Sequence, residues 1–185
     1  SYEVTPEDGV AGYEHDLTQG PACAIAAGAA TIFRNYFAPA GDGIGQTRHR
    51  QLDALADLGA RLADLTGRPV RELWEMRNGY ALCTRDGLAA ITAALADLDP
   101  PARDGLRGLL RIGIHADVEV TDAPEATDQS VTQAFCSALP VSYQRSVPQA
   151  LWAAFARLVL EAAYEATLLA ALENRSRRGG ARVYL

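Results

Sequence analysis

The sequence predicts an α/β domain, and three observations lead to this fold class. Apolar and polar residues alternate over 111–120, which is typical of a half-buried strand. A strand-like run at 130–139 is followed by an apolar helical stretch at 148–174 and by the start of a strand at 181–185. Strand, helix and strand in this order predict a right-handed βαβ crossover. A further helix is predicted over 21–37, near the N-terminus.

That first helix begins at Gly20-Pro21, because Gly suits the N-cap and Pro suits the first helical position. Its apolar residues are expected to share one face, with Arg34 and Asn35 pointing away from it. The members of that face are Ile25, Ala29, Ile32, Phe33 and Tyr36.

The segment 45–110 is predicted to be a helical insertion within a single α/β domain that spans 1–185. Apolar residues recur at helical spacing over 47–65 and over 86–98, and a short helix is expected at 102–110. The insertion also contains one hairpin: Asn78-Gly79 separates two strand-like runs, and Asn-Gly in that position is a strong hairpin signal. These runs are 72–77 and 80–84.

The longest predicted helix, 148–174, is apolar almost all round, so we expect it to be buried between layers. Glu165 falls inside its apolar face and Glu161 lies at the edge of that face. Residues four apart on a helix lie one turn apart on the same side, so the two carboxylates form a pair.

Composition limits the classes of partner. The chain has 185 residues and is 49% hydrophobic, which is enough for one domain with a real core. Its net charge of −6 argues against nucleic acid as the main partner, and no apolar run reaches the roughly 20 residues that a membrane span needs. The three cysteines are odd in number and far apart, which indicates a reducing compartment, and we expect a cytoplasmic protein.

The start of the first helix is a candidate anion site. Its first turn, with Ala22 and Cys23, carries only small side chains, so the free backbone N–H groups would be uncovered. Those donors and the positive end of the helix dipole favour an anion, most often phosphate. The residues at its rim are Thr18, Gln19 and Gly20. Alternatively, the small residues let the helix pack closely on a sheet.

The pair of Glu161 and Glu165 is the candidate for acid–base chemistry. A carboxylate in an apolar face must be paired, hydrogen-bonded or neutral, and a neutral carboxyl suits a general acid. The alternative is an ion pair with an arginine from the insertion. Asp117 and Glu119 form a second acidic pair, for which a solvated strand edge is the competing explanation.

Metal and nucleophilic chemistry have less support in the sequence. None of the His and Cys residues has the spacing of a metal-binding motif, and we predict no metal and no cofactor. Cys136 and His115 would form a nucleophile–base pair if their strands are neighbours. The alternative is that Cys136 is a small buried apolar residue.

Two parts of the sequence resemble macrodomains. TQGPACAIAAGAATIFRNYF is similar to the first ligand loop and following helix of that family. QSVTQAFCSALP, PQALWAAFARLVLEAAYEATLLAALENR and ARVYL are similar to its closing βαβ unit. The whole chain also resembles an uncharacterised bacterial family of macrodomain-like proteins. In that family the last strand leads into a Gly-Gly-Gly-Ala-Phe-Gly-Asn-type loop, which would follow Leu185. The resemblance leaves the insertion 45–110 unexplained.

The resemblance implies a mixed sheet flanked by helices in three layers, and ADP-ribose or a related nucleotide diphosphate as ligand. Asp16 would lie near the adenine or the base of the loop. The residues implied at the diphosphate or distal ribose are Thr18, Gln19, Gly20, Ala22 and Cys23. Some macrodomains only bind ADP-ribose and others hydrolyse its linkage to a protein, so the implied partner is an ADP-ribosylated protein and the implied enzyme an ADP-ribosyl glycohydrolase.

Two other functions stay open on the sequence. Poly(ADP-ribose)-glycohydrolase-like macrodomains carry a Glu-Glu pair after the first loop, which this chain lacks, so Glu165 and Glu161 are candidates from their own pattern only. They would serve an unrelated hydrolase or transferase, with Cys136 as a further candidate. The third hypothesis is a non-enzymatic assembly protein that forms homo-oligomers through its Ala-rich helices and its insertion.

Overall fold

The computed structural model describes residues 28–30, 32–47, 49–77, 79–120, 125, 129–136, 139–179 and 182–184. This part of the chain is mixed α/β, and its strands form three separate two-stranded sheets. The chain divides into two compact units. The first unit is Ser1–Asp53 with Met76–Ala81, and the second is Ala54–Glu75 with Leu82–Leu185.

Among the residues that the structure describes, the first unit contains short helical and strand segments, and longer helices dominate the second unit. A helical turn at 28–30 and 32 continues into a π-helix, Phe33–Phe37, and β1 (Pro39–Ala40) pairs with β2 (Gly43–Ile44). The helices that follow are α1 (Ala56–Thr66), α2 (Val70–Leu73), α3 (Arg85–Ala96), α4 (Pro100–Arg107), a 3-10 turn (Gln149–Trp152) and α5 (Ala153–Arg178). The remaining strands are β3 (Trp74–Arg77), β4 (Tyr80–Cys83), β5 (Gly113–Glu119) and β6 (Ser130–Phe135).

The described end of the helix predicted at 21–37 confirms its C-terminal boundary, but its buried face is different. Asn35 was expected to point away from the apolar face, and this is wrong, because Asn35 is 5% exposed while Phe33 and Tyr36 are exposed. Gln46 accounts for the difference: its side-chain Nε2 donates to Asn35 Oδ1 at 3.1 Å and its backbone N–H donates to Asn35 O at 2.9 Å. The wider π-helical turn also rotates the side chains away from the 3.6-residue pattern.

The hairpin predicted around Asn78-Gly79 is confirmed as β3 and β4, with Gly79 at a φ of 78°. The helix predicted over 86–98 is confirmed as α3, and its start has a clear local cause: the Thr84 hydroxyl accepts a hydrogen bond from Gly87 N at 2.9 Å. Asp99 caps α4 in the same way, accepting from Ala102 N at 2.8 Å, ahead of Pro100 at the first helical position.

The helix predicted over 47–65 is confirmed only in part, since α1 begins at Ala56. The residues before it form local hydrogen bonds instead: Leu52 N donates to Gln46 Oε1 at 2.8 Å, and Thr47 and Arg50 form a β-bridge. Polar side chains that bond nearby backbone groups compete with helix formation, and this competition sets the later start.

The core of the second unit collects the apolar stripes of several helices. Leu58 and Leu62 of α1 are fully buried, as are Leu88 and Ile91 of α3, in agreement with the predicted periodicity. The first half of α5 completes this core, with Phe155 stacked on Trp74 at a ring-centroid distance of 5.4 Å and an interplanar angle of 19°.

The alternation predicted for 111–120 is interrupted. The register between β5 and β6 shifts between His115 and Val118, and Asp117 within this bulge has a φ of 59°. The strand predicted at 130–139 ends at Phe135 and is not more buried than its neighbour, with Val131 exposed. A two-stranded hairpin has few partners on either face, which explains why both strands stay half-exposed.

The predicted βαβ crossover is wrong for the part of the chain that the structure describes. β6 pairs with β5 in antiparallel orientation, and residues 182–184 are not in a strand. α5 is also not buried all round: it extends to Arg178, and its second half exposes several leucines. The reason is that the core covers only the first half of a 26-residue helix.

Two helical glycines give a matched test of this packing. A Cβ on Gly87 would meet the backbone of Leu73 and the Thr84 hydroxyl, whereas a Cβ on Gly105 would meet nothing within 4 Å. We predict that Gly87→Ala lowers the free energy of unfolding by about 1–3 kcal/mol, as overpacking does. Gly105→Ala should raise it by about 0.5–1 kcal/mol through helix propensity. Urea denaturation of both variants measures this, and a stabilised Gly87→Ala would contradict the described contact.

The ion pair at the bulge predicts a pH dependence. Arg178 Nη2 lies 2.7 Å from Asp117 Oδ1, and the hydrogen bond from Arg178 lowers the pKa of Asp117 below its ordinary value of 3.8, with charge attraction from Arg178 and Arg177 assisting. A lowered carboxyl pKa stabilises the fold above the unfolded-state value, and this stabilisation is lost as pH falls through the folded-state value.

We therefore predict that Asp117→Asn is less stable than the parent chain at pH 7. The difference should begin to shrink as pH falls below about 3.8 and should disappear once pH is below the lowered folded-state pKa. Asn tolerates the positive φ of this position, so the substitution removes the charge and keeps the bulge. Urea denaturation of both chains from pH 2 to pH 7 provides the test, and a difference that persists at the acidic end would contradict it.

Candidate functional site

The predicted phosphate site lies outside the described residues. This applies to each of its proposed ligand contacts: Asp16, Thr18, Gln19, Gly20, Ala22 and Cys23. The described part of the chain starts at Gly28, in the helix that these residues are predicted to open. The site therefore stays a prediction from the sequence.

The two glutamates of α5 contact an arginine of α4. Arg107 Nη1 lies 3.4 Å from Glu161 Oε2, and Arg107 Nε lies 3.2 Å from Glu165 Oε2. Asp104 completes the cluster, with its Oδ1 2.5 Å from Arg107 Nη2. Arg107 belongs to the segment 45–110, so the alternative of an ion pair with an arginine from the insertion is confirmed.

The contacts of Arg107 differ in quality. The contact with Asp104 is a hydrogen bond, and it raises the pKa of Arg107, with charge attraction from Asp104 and Glu165 adding to the effect. The Nε–Glu165 contact is close enough for an ion pair but lacks hydrogen-bond geometry, which leaves the buried Nε atom without a hydrogen-bond partner. One guanidinium thus neutralises part of a three-carboxylate cluster.

The burial expected for Glu165 is wrong. The side chains of Glu161 and Glu165 are 44% and 51% exposed, although Ala162 and Ala163 between them are buried, so the two carboxylates lie outside the face of α5 that the core covers. Both side chains contact the Arg107 guanidinium at the surface, whereas a buried acid catalyst is expected to project into an apolar pocket. The arrangement is that of a surface ion-pair cluster, and the catalytic assignment of these two residues stays a prediction.

A groove of about 250 Å³ lies beside this cluster, between α3 and α5. Its apolar base includes the buried Leu95 and Leu158, and Arg157 and Glu161 contribute charge. Arg103 also lines it and donates from Nη2 to Leu95 O at 2.7 Å. Glu165 does not line the groove. The groove therefore presents one carboxylate, whereas glycoside hydrolysis ordinarily needs two flanking the scissile bond.

Cys136 and His115 do not form a nucleophile–base pair. His115 is directly opposite Gln133, so their side chains share one face of the hairpin. Cys136 follows β6 and lies on the opposite face of the hairpin, which is turned toward α5. There its Sγ lies 3.4 Å from Thr167 Oγ1 and 3.9 Å from Ala163 O. The Nδ1 of His115 is buried without a hydrogen-bond partner. The alternative of Cys136 as a buried residue is also wrong, because this cysteine is exposed.

The sequence predicted an arginine partner from the insertion as an alternative, but it did not indicate which arginines organise this region. Arg103 and Arg107 are four residues apart on α4, and Arg157 stands four residues before Glu161 on α5. This i,i+4 spacing was a usable signal for charged helix faces. This spacing does not show which helix supplies the opposite charge. The cluster forms because α4 packs on α5, and this contact cannot be read from the spacing.

Comparison with known proteins finds no matching family model, no matching curated protein and no matching solved structure.

Within the described part of the chain, no three His, Cys, Asp or Glu residues are grouped so that they could hold a metal ion. No helix among the same residues combines the length and the apolar character that crossing a membrane requires.

The two described cysteines should differ in thiol reactivity. Burial raises the pKa of Cys83 to about 12, whereas Cys136 is exposed. We predict that, in a Cys23→Ser background at pH 8, a disulfide-exchange reagent labels Cys136 rapidly and labels Cys83 only on unfolding, because the thiolate is the reacting species. Absorbance of the released thiol follows the reaction. Rapid labelling of two thiols in the folded chain would contradict the burial of Cys83.

Proposed function

We propose that this chain binds ADP-ribose or a related nucleotide diphosphate through residues 16–23. The observation that carries the proposal is the Gly20-Pro21 start followed by small residues, because a helix opened in this way offers uncovered N–H groups to a diphosphate. The described end of the same segment is helical at 28–30 and 32, which is consistent with a helix that begins near Pro21.

The macrodomain-like three-layer architecture is part of the same proposal. Its support is the resemblance of the two sequence stretches and the order of β6 and α5, in which a strand precedes the longest helix. The parallel closing strand that a macrodomain requires is not formed by residues 182–184. The proposal of this architecture therefore depends on sequence resemblance, and the described part of the fold supports only the mixed α/β class.

The proposed activity is binding, and the proposed partner is a protein that carries ADP-ribose. Hydrolysis by Glu161 and Glu165 has less support, because both carboxylates are exposed and paired with Arg107. A cytoplasmic location belongs to the same proposal and is supported by the free thiols of Cys83 and Cys136.

Titration calorimetry with ADP-ribose tests this proposal. We expect measurable heat for the parent chain and none for Gly20→Glu, because the new carboxylate would occupy the phosphate position with like charge. The matched control is Gly28→Glu, which adds the same charge two turns further along the same helix, where a Cβ meets nothing within 4 Å. This control should bind like the parent chain.

The parent chain is titrated up to millimolar ligand. If it gives no heat there, or if Gly20→Glu binds as tightly as Gly28→Glu, the phosphate site is not at residue 20. Circular dichroism of both variants shows whether a loss of binding is a loss of folding.

A further inference from the structure

One face of α5, from Leu160 to Leu172, carries a row of exposed apolar side chains. Leu160, Tyr164, Leu168 and Leu172 follow one another at four-residue intervals, and each is between 47% and 60% exposed. Steps of four keep side chains on one side of a helix, so they form a continuous stripe, which we name the α5 stripe. Leu169 beside it is 59% exposed. Contiguous apolar surface of this kind marks an interaction site more often than scattered exposed residues do.

The charges along α5 are arranged with opposite signs at the two ends of the stripe. Glu161 and Glu165 lie at its beginning, and Arg175 lies just beyond its end. Both glutamates keep about half of their side-chain surface exposed despite their contact with Arg107, so a second guanidinium can reach them. An occupant that fits must be apolar in the middle, basic opposite the glutamates and acidic opposite Arg175.

We propose that the occupant is a second copy of this chain, with the two α5 helices packed antiparallel through the α5 stripe. A two-fold axis at Leu168 places Tyr164 of one copy opposite Leu172 of the other. The same axis places Glu161 of one copy opposite Arg175 of the other, so each dimer gains two complementary contacts. A parallel pair would instead place each charge opposite its own copy, which is unfavourable.

The size of the α5 stripe is sufficient for such a dimer. The four side chains of the α5 stripe and the adjacent Leu169, at about half exposure, present roughly 500 Å² per copy, so that two copies bury at most roughly 1,000 Å², the lower bound for a specific interface. Buried area alone does not determine affinity, so the dimer is tested over a wide range of concentrations. The inference is independent of the ligand proposed for residues 16–23, because it uses different residues.

Sedimentation velocity of the full chain between about 1 and 200 µM tests the dimer. We expect a monomer–dimer equilibrium for the parent chain and a dissociation constant raised roughly a hundredfold by Leu168→Glu, because two carboxylates would meet on the axis. Leu52→Glu is the matched control, since Leu52 is also an exposed leucine but lies outside α5. It should dimerise like the parent chain. A parent chain that stays monomeric at 200 µM, or a Leu168→Glu variant that dimerises normally, would overturn the proposal.

The orientation of the helices is tested by a charge exchange. Arg175→Glu alone should weaken the dimer about tenfold, and Glu161→Arg combined with Arg175→Glu should restore it, because the antiparallel contact is re-formed with its signs reversed. Circular dichroism at the same concentrations confirms that the variants are folded. Failure of the double variant to recover dimerisation would exclude the antiparallel register centred on Leu168.

Discussion

The stack of Trp74 on Phe155 is the contact on which the second unit depends. Trp74 is the first residue of β3 and Phe155 lies in the first turn of α5, so the stack joins the base of the hairpin to the longest helix. Gly59 makes room for the indole: a Cβ there would lie 2.9 Å from Trp74 Cζ2. α1, β3 and α5 therefore meet at one buried aromatic ring, that of Trp74.

The position of this stack determines how α5 is used. Because Phe155 fixes the first half of the helix to the core, the second half extends beyond it over a length of roughly 20 Å. One side of that extension is partly covered by the β5–β6 hairpin, where Thr132 Oγ1 and Asn174 Oδ1 lie 3.1 Å apart. The other side is covered by no described element, which is why its leucines remain exposed. An amphipathic helix that is longer than its core leaves an apolar surface.

The sequence predicted the elements whose causes are local. The stripes of α1 and α3 and the Asn78-Gly79 hairpin each follow from residues within a few positions of the feature. Gly67 has a φ of 65°, as a helix-ending glycine should. The predictions that were wrong concern features that depend on partners distant in sequence. The burial of Asn35 depends on Gln46, and the bulge at Asp117 accompanies an ion pair with Arg178.

The same division applies to the candidate site. The i,i+4 spacing of Glu161 and Glu165 correctly indicated a carboxylate pair on one side of a helix. Whether that side is buried or exposed depends on which faces of α5 other elements cover, and no periodicity within α5 contains this information. Periodicity alone assigned Glu165 to an apolar face, although its side chain is 51% exposed while the nearby Ala162 and Ala163 are buried.

Arginine chemistry explains why this exposure leads to a charge cluster. Arg107 offers five N–H donors in a fixed plane, so a single side chain contacts Asp104 of its own helix together with Glu161 and Glu165 of α5. Such a cluster links α4 to α5 and keeps both glutamates in ion pairs at the surface. An acid catalyst needs the opposite conditions, namely exclusion of water and no nearby cation. The glutamates therefore contribute the negative charges beside the exposed leucines of α5. Because Arg175 supplies the opposite charge, a second copy of the chain complements this pattern, whereas a purely apolar partner does not.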